Sequence, residues 1–91
     1  MDLIIENNYN STVFRGLITP NTTPTDFINK LHEEVKELED AFCKGSTKET
    51  QEELADVILV CLNFARHYSI DIENELKLKI KKNYDRSKNS E

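Results

Sequence analysis

Residues 31–38 read LHEEVKEL, and the rest of the chain is organised around this stretch. On a helix with 3.6 residues per turn, each residue advances by about 100°. With Leu31 as the origin, Val35 and Leu38 then fall within about 40° of it, and Phe42 extends the same apolar stripe. The stretch is therefore predicted to be an amphipathic helix that packs this stripe against another element.

Glu34 is predicted at the edge of the packed face, about 60° from Leu31. Glu37 flanks the same edge one turn later, and Glu33 points further out. A buried carboxylate is costly unless a partner stabilises it. No basic residue of this helix is expected at the angle of Glu34, so its partner is predicted to come from another element.

A second acidic pair, Glu53 and Asp56, occurs in the next apolar segment. Glu53 falls between the angles of Val60 and Phe64, inside a broad apolar arc. Asp56 lies at the margin of that arc. Two helices joined by a short loop pack antiparallel, which would bring the acidic motifs together. Carboxylates gathered in a small space need a cation, and an all-oxygen ligand set favours Mg²⁺, with Mn²⁺ as a substitute.

Capping residues and glycines predict an all-α fold, with a helical hairpin followed by a C-terminal helix. Thr23 and Asp26 form the start signal of the first hairpin helix, and Gly45 ends it. Ser46 and Asp71 cap the two helices that follow. The predicted helices span about residues 5–17, 23–44, 47–68 and 71–86.

The chain is predicted to be a single domain, 1–91, of which 23–86 carries the motifs. The N-terminal segment 1–22 gives the weakest signal, and a short strand at 3–5 is the alternative to its helix. The polar tail 87–91 is expected to fray.

The last predicted helix places cations on its apolar side. Lys79, Asn83 and Arg86 all fall within about 80° of Leu76. Lysine and arginine are the natural ligands of phosphate oxygens, and their long stems can lie along a core while the charged head reaches a cleft.

Composition limits the partners of this chain. A formal net charge of −5 argues against a nucleic-acid-binding surface, and no apolar run is long enough to span a membrane. Cys43 and Cys61 form no CxxC pattern and are predicted to be buried, reduced thiols of a cytoplasmic protein. The helix 47–68 is apolar over more than half of its circumference, which predicts a homodimer or a dimer of dimers.

The three motifs together resemble those of the MazG-like members of the all-α nucleoside triphosphate pyrophosphohydrolases, over about two thirds of the chain. In this sequence they read Glu33-Glu34-x-x-Glu37, Glu53-x-x-Asp56 and Lys79-x-x-x-Asn83-x-x-Arg86. The resemblance implies a four-helix-bundle core, usually formed by paired subunits. It also implies cleavage between the α- and β-phosphates, which gives a nucleoside monophosphate and pyrophosphate.

The resemblance implies a role for each motif residue. The metal ligands would be Glu34, Glu37, Glu53 and Asp56, with Glu33 as an auxiliary acid. The triphosphate would be held by Lys79, Asn83 and Arg86. A carboxylate that coordination does not fully use can orient water or accept its proton, and the sequence leaves Glu33 and Glu37 open for this catalytic role.

Three other interpretations stay open at this stage. One is an enzyme similar to phosphoribosyl-ATP pyrophosphohydrolase, although that family usually continues its second motif with Tyr-His and this chain has Val57-Ile58. Another is a non-catalytic helical interaction module whose acids are solvated. The third is a relative that binds nucleotide without cleaving it.

Overall fold

The structure is a computed structural model that describes residues 1–89, with the backbone alone at Asn89. These residues form four α-helices. The helices are α1 (Asp2–Phe14), α2 (Pro24–Cys43), α3 (Thr47–His67) and α4 (Ile72–Asn89). No strand occurs among these residues, which confirms the all-α prediction. The predicted polar tail is helical as far as Asn89, and its last two residues lie outside the described part.

Three of the helices end at a residue in the left-handed conformation. The φ angles are +74° at Gly16 and at Gly45, and 56° at Ser69. Each of these residues closes a turn with two backbone hydrogen bonds, such as Gly16 N to Val13 O at 2.9 Å and Leu17 N to Thr12 O at 3.1 Å. Gly45 therefore ends α2 as predicted.

The first helix corrects the prediction for residues 5–17. It begins at Asp2, because Ile5 N already donates to Met1 O at 3.0 Å, and it stops at Phe14. Gly16 ends it, because its left-handed conformation closes the helix with hydrogen bonds from Gly16 N and Leu17 N. The alternative of a strand at 3–5 is wrong, since these residues are helical.

The predicted caps form at the start of the later helices. Thr23 Oγ1 accepts from Asp26 N at 3.2 Å, and Asp26 Oδ2 accepts from Thr23 N at 2.8 Å, which completes a capping box. Ser46 caps α3 by accepting from Glu49 N at 3.2 Å. Asp71 accepts from Asn74 N at the start of α4, at 3.1 Å.

Helices α2 and α3 pack along each other as an antiparallel hairpin. The residues of α2 that are buried or half-buried alternate in spacing by four and three: Phe27, Leu31, Glu34, Leu38 and Ala41. The same spacing on α3 holds the half-buried Thr50, Glu53, Val57, Val60 and Phe64. This is the spacing of a coiled-coil seam. Two glutamates thus occupy core positions of an otherwise largely apolar seam.

Helix α1 packs on α3 through polar side chains. Asn8 Nδ2 donates to Asn63 Oδ1 at 2.8 Å, and Asn63 Nδ2 donates to Thr12 Oγ1 at 3.1 Å. The hydroxyl of Tyr9 lies 2.8 Å from Nδ1 of His67. These contacts tie a helix outside the predicted motifs to the face of α3 that also carries Asp56.

Helix α4 has no comparable packing partner among the described residues. Its residues from Asn74 to Lys88 are all exposed. They include the large apolar side chains of Leu76, Leu78, Ile80 and Tyr84. The apolar side that the sequence predicts for this helix is therefore present but uncovered in a single chain.

Two further sequence expectations concern the cysteines and the membrane. Cys43 and Cys61 are free thiols, but both are exposed, so the prediction of burial is wrong. Cys61 lies on the outer side of α3, about 40° round the helix from the seam residue Val57, where no other element of residues 1–89 covers the hairpin. None of the described helices is long and apolar enough to cross a membrane.

Candidate metal centre

Three carboxylates meet where the acidic turns of α2 and α3 face each other. One oxygen each from Glu34, Glu37 and Glu53 lies within 4.8 Å of the other two. Glu34 is 8% exposed, Glu53 is half-buried, and Glu37 is exposed at the margin. The alternating seam explains the meeting, because it turns Glu34 and Glu53 toward the opposite helix at the same level.

Two oxygens of this cluster are buried without a partner. Among the described residues, Glu34 Oε2 and Glu53 Oε2 are the buried side-chain polar atoms that have no hydrogen-bond partner. An unpaired buried polar atom loses its hydration and gains nothing in return, and the cost is larger for a charged group. The cluster therefore lacks a positive partner on its inner side.

Lys30 supplies a positive partner on the outer side. Its Nζ lies 3.2 Å from Glu34 Oε1 and 3.4 Å from Glu33 Oε2. The expectation that no basic residue of this helix reaches Glu34 is thus wrong. Lys30 precedes Glu34 by four residues, a spacing that places side chains next to each other on a helix.

The protonation of Glu34 reflects this environment. Burial is the main cause that raises the pKa of its carboxyl above the usual 4.5. The ammonium of Lys30 opposes this shift, and the neighbouring Glu37 adds to it. The hydrogen bond to Glu34 in turn raises the pKa of Lys30. The direction of the shift indicates that the positive charge around Glu34 does not offset its burial, as is expected of a ligand for a cation.

A cavity of about 470 Å³ opens beside the cluster. Its walls come from α1, the loop after it, α2 and α3, and they include Glu33, Glu34 and Asp56. Asp56 is exposed and is not part of the three-carboxylate group. Glu33 is likewise outside the group, with one oxygen on Lys30. The predicted acidic residues are therefore divided between the cluster and the adjoining cavity.

The three predicted phosphate ligands lie elsewhere in the chain. Lys79, Asn83 and Arg86 are exposed along α4. Lys79 lines a shallow depression made by α4 residues, and the cavity beside the carboxylates is lined by the other helices and the loop after α1. Within one chain, none of these three residues lines the cavity beside the carboxylates.

Sequence reasoning missed three residues of the site. Lys30 could have been found from its four-residue spacing to Glu34. Arg15 and Asn63, which also line the cavity, belong to no motif. For Asn63, which is buried, the signal was a carboxamide among the apolar residues of α3. For Arg15 there was none, because the loop after α1 carries no recognisable pattern.

The donor set fits a hard divalent cation. All three ligand atoms of the cluster are carboxylate oxygens, which Mg²⁺ and Mn²⁺ prefer. Their separations, at most 4.8 Å, are close to the roughly 3–4 Å between oxygens around a bound Mg²⁺. The two unpartnered oxygens are in the right place to gain from such an ion. The arrangement can thus hold a metal next to a cavity large enough for a small molecule.

Comparison with protein families gives a match over most of the chain. The model of the MazG nucleotide pyrophosphohydrolase domain matches residues 22–90. The chain belongs to this family. It is therefore a MazG-type nucleotide pyrophosphohydrolase, a hydrolase acting on phosphoric anhydride bonds, and the suspected family is confirmed. No curated protein and no solved structure matches the chain significantly.

The matched range has a structural meaning. It begins one residue before the cap of α2 and takes in the whole hairpin and the described part of α4. Helix α1 lies before it, although α1 and the loop that follows it form one wall of the cavity. The MazG part of the chain thus supplies the carboxylates, and the segment outside the match supplies part of the enclosure.

Proposed function

We propose that this MazG-type enzyme hydrolyses a nucleoside triphosphate between the α- and β-phosphates, with Mg²⁺ as cofactor, and releases a nucleoside monophosphate and pyrophosphate. The observation that carries the proposal is the meeting of Glu34, Glu37 and Glu53 with two buried, unpartnered oxygens. A binding module with solvated acids would have no reason to bury Glu34 and Glu53 in a helical seam.

The positions of the carboxylates give them different roles. Glu34, Glu37 and Glu53 hold the metal, and Asp56 joins them from the cavity side. The metal supplies charge neutralisation at a phosphoryl oxygen and a lower pKa for a bound water. The cavity takes the nucleoside, since it opens directly beside Glu34 and has the size of a small-molecule site.

We assign the general base to Glu33 rather than Glu37. Glu37 contributes an oxygen to the three-carboxylate group, which commits it to the metal. Glu33 lines the cavity without belonging to the group, so its carboxylate is available to orient a water or accept its proton. Lys30 lies 3.4 Å from Glu33 Oε2, a contact that holds this carboxylate at the wall of the cavity.

The phosphate ligands Lys79, Asn83 and Arg86 are proposed to reach the site from a second copy of the chain. Each hairpin helix carries an exposed apolar stripe with a repeat near seven residues: Ile28, Val35 and Phe42 on α2, and Leu54, Ile58 and Cys61 on α3. Both stripes lie about 80–100° from the seam in the same rotational sense, so on an antiparallel pair they form one surface. The carboxylate cavity opens on the opposite side.

A homodimer, or a pair of dimers, covers these surfaces and completes a four-helix core. The exposed apolar side of α4 is also covered when it packs on a partner hairpin. A domain of 91 residues buries a modest core alone, and the side chains left exposed here are large. Pairing through the stripes therefore supplies the missing hydrophobic contact, and the α4 that packs on the partner hairpin is proposed to bring the missing cations.

The experiment is incubation with Mg²⁺ and a panel of nucleoside triphosphates, followed by ion-exchange separation of the products. We expect monophosphate and pyrophosphate in equal amounts from at least one base. Release of diphosphate and inorganic phosphate would refute the proposed cleavage position. The Glu53→Gln protein, purified in the same way, reports any contaminating hydrolase.

A further inference from the structure

Lys30 lies between the carboxylate cluster and the cavity, and it belongs to none of the three sequence motifs. Its Nζ contacts Oε1 of Glu34 at 3.2 Å, while Oε2 of the same carboxylate has no partner. The second contact, to Glu33, is longer, at 3.4 Å. In the metal-free chain this single ammonium is thus the nearest counter-charge of the most buried acid of the cluster.

A divalent ion at the cluster would compete with Lys30 for the same negative charge. The oxygen that Lys30 contacts belongs to a carboxylate that is part of the three-residue group. Two cations on one carboxylate repel each other, and the more highly charged ion gains more from the three oxygens. The ammonium of Lys30 can move away from Glu34, because the lysine side chain is about half exposed and its stem has four rotatable carbon bonds.

The cavity offers the displaced ammonium a new partner. Lys30 lines this cavity together with Arg15, so two cations face the space next to the carboxylates. An ammonium released from Glu34 needs an anion within reach of its stem, and a phosphate oxygen is a strong acceptor for it.

We propose that Lys30 exchanges partners during the reaction cycle. Lys30 pairs with Glu34 in the metal-free protein. When the metal binds, the ammonium of Lys30 leaves Glu34 and contacts a phosphate oxygen of the nucleotide. Lys30 is then a further substrate-binding residue, supplied within the same chain as the carboxylates. The inference rests on the proposed function, because it requires both a metal and a phosphate-bearing substrate at this site.

The exchange has a thermodynamic consequence. Metal binding releases Lys30, and the released Lys30 strengthens nucleotide binding, so each ligand raises the affinity for the other. Removing the ammonium should therefore change the two affinities in opposite directions. A lysine that only decorates the surface would change neither.

The test compares Lys30→Met with Lys36→Met. Lys36 is a matched control, because it lies on the same helix and pairs with Asp40 at the same four-residue spacing and at 3.2 Å, but both partners are well exposed. Mn²⁺ binding is measured by electron paramagnetic resonance at mildly alkaline pH. Nucleotide binding is measured with saturating Mn²⁺ and α,β-methylene triphosphates, whose bridging carbon resists cleavage.

We expect Lys30→Met to bind Mn²⁺ roughly three- to tenfold more tightly than wild type, since one positive charge beside the ion is gone. We expect it to bind the methylene analogue about tenfold or more weakly, since a charge-assisted contact is lost. Lys36→Met should match wild type in both measurements. Lys30→Arg, which keeps the charge and the reach, should recover most of the analogue affinity.

Unchanged or weaker Mn²⁺ binding by Lys30→Met overturns the proposal, and so does tighter Mn²⁺ binding with unchanged analogue affinity. Melting in EDTA checks that each variant is folded. If Lys30→Met does not fold without metal, Lys30→Gln carries the same expectation, because its amide can still donate to Glu34. Failure of the wild type to bind Mn²⁺ at all overturns the proposed function as well, so the two failures are distinguishable.

Discussion

Glu34 on α2 and Ile80 on α4 both fall on the apolar side of their helix by spacing, yet Glu34 is 8% exposed and Ile80 is 67% exposed. The carboxylate is buried because α2 packs along α3 over the length of the hairpin. The isoleucine is exposed because α4 has no comparable neighbour among residues 1–89. Periodicity thus identifies the residues that share a face, and the packing partner decides whether that face is covered.

The same contrast separates two kinds of site residue. The hairpin carboxylates are brought together by one chain, whereas the cations of α4 lie on a helix that a single chain leaves unpacked. If the proposed function is correct, damage to the hairpin should remove the metal, and damage to α4 or to pairing should spare it. Variants of the hairpin, of the pairing surface and of α4 test this separation.

The largest effect is expected from Glu53→Ala. It removes one of three converging oxygens, and a metal contributes several kcal/mol of transition-state stabilisation, so turnover should fall by about a thousandfold or more. The measurement is pyrophosphate release with Mg²⁺. The control is Glu52→Ala, which removes the exposed neighbouring carboxylate and should retain activity. Equal loss in both variants would mean that the charge of α3, and not the cluster, matters.

Glu53→Gln is a milder variant that tests the hairpin carboxylates through the stability of the protein. Glu53→Gln removes charge from the cluster without changing its shape, so the metal-free protein should be as stable as wild type or more stable. The rise in melting temperature that Mg²⁺ gives the wild type should largely disappear. If millimolar Mg²⁺ and Mn²⁺ leave the wild-type melting curve unchanged, the cluster is not a metal site.

The hairpin could be predicted because its signals are local. Thr23 and Gly45 mark the ends of α2 by chemistry that acts within one turn. Spacing places Glu53 inside the apolar arc of α3 and Glu34 at the edge of the apolar face of α2, but Val35 and Phe42 of the predicted α2 stripe are exposed. Lys30 was also within reach of local reasoning, because it is one turn from Glu34. The end of α1 at Gly16 could likewise have been predicted from the same glycine rule that was applied at Gly45.

The position of α1, which forms one wall of the cavity, could not be predicted from the sequence. The hydrogen bond from Asn8 to Asn63 joins residues 55 positions apart, and no spacing rule connects them. The position of α4 is non-local in the same sense, because its amphipathic pattern does not say which surface covers it. What the sequence left open in both cases is the pairing of elements that are distant along the chain.

The third prediction concerns a variant that should disrupt the assembly. Ile58→Glu places a charge in the middle of the exposed stripe of α3, where the side chain is 52% exposed in one chain. Burying that charge between two copies is costly, so the variant should be monomeric by light scattering. Activity should fall about a hundredfold or more, because the α4 cations no longer reach the site, while Mn²⁺ binding by the hairpin should persist.

The control for this variant is Leu3→Glu, which adds the same charge at an exposed apolar residue of α1, outside the stripe. It should leave both the mass and the activity unchanged. A wild type that is monomeric at micromolar concentration, and still active, would contradict the prediction. In that case α4 must reach the carboxylates within its own chain.

The fourth prediction concerns the cations themselves. Lys79→Ala or Arg86→Ala should weaken nucleotide binding and slow cleavage about ten- to hundredfold, the value of one charge-assisted contact of about 1.5–3 kcal/mol. Arg86→Lys should also be costly, because lysine lacks the planar fork that binds two oxygens. Asn83→Ala should lose less, since its partner is neutral. Mn²⁺ titration should give wild-type affinity in all of them.

The matched control on α4 is Lys81→Ala, an exposed lysine that lies about 140° or more round the helix from Lys79, Asn83 and Arg86. It should behave like wild type. Should Lys79→Ala and Arg86→Ala turn over as fast as Lys81→Ala, the third motif is a coincidence of helix phase, and the site consists of the hairpin and its cavity.

The smallest effect is expected in the pH dependence of the metal-free protein. Burial raises the pKa of Glu34 above 4.5, so the folded state holds this proton more tightly than the unfolded chain does. The stability from this group is present below about pH 4.5 and is lost as the pH rises through the raised pKa. Asp26 has the opposite sign, because the hydrogen bonds from the backbone and side chain of Thr23 lower its pKa below 3.8. The stability that Asp26 contributes is present above about pH 3.8 and is lost as the pH falls through its lowered pKa.

Melting in EDTA at several pH values above 4.5 measures the Glu34 effect, and Glu34→Gln should flatten the curve, whereas Glu39→Gln on the exposed side of α2 should not. For a domain of this size 1 kcal/mol moves the melting temperature by about 4–8 °C, so even a fraction of that is measurable. Mg²⁺ should reverse the slope. It binds the ionised carboxylate, so the increment it adds to the melting temperature should grow with pH over the same range. An increment that is independent of pH would mean that Mg²⁺ binds the exposed acids and leaves the buried carboxyl of Glu34 untouched.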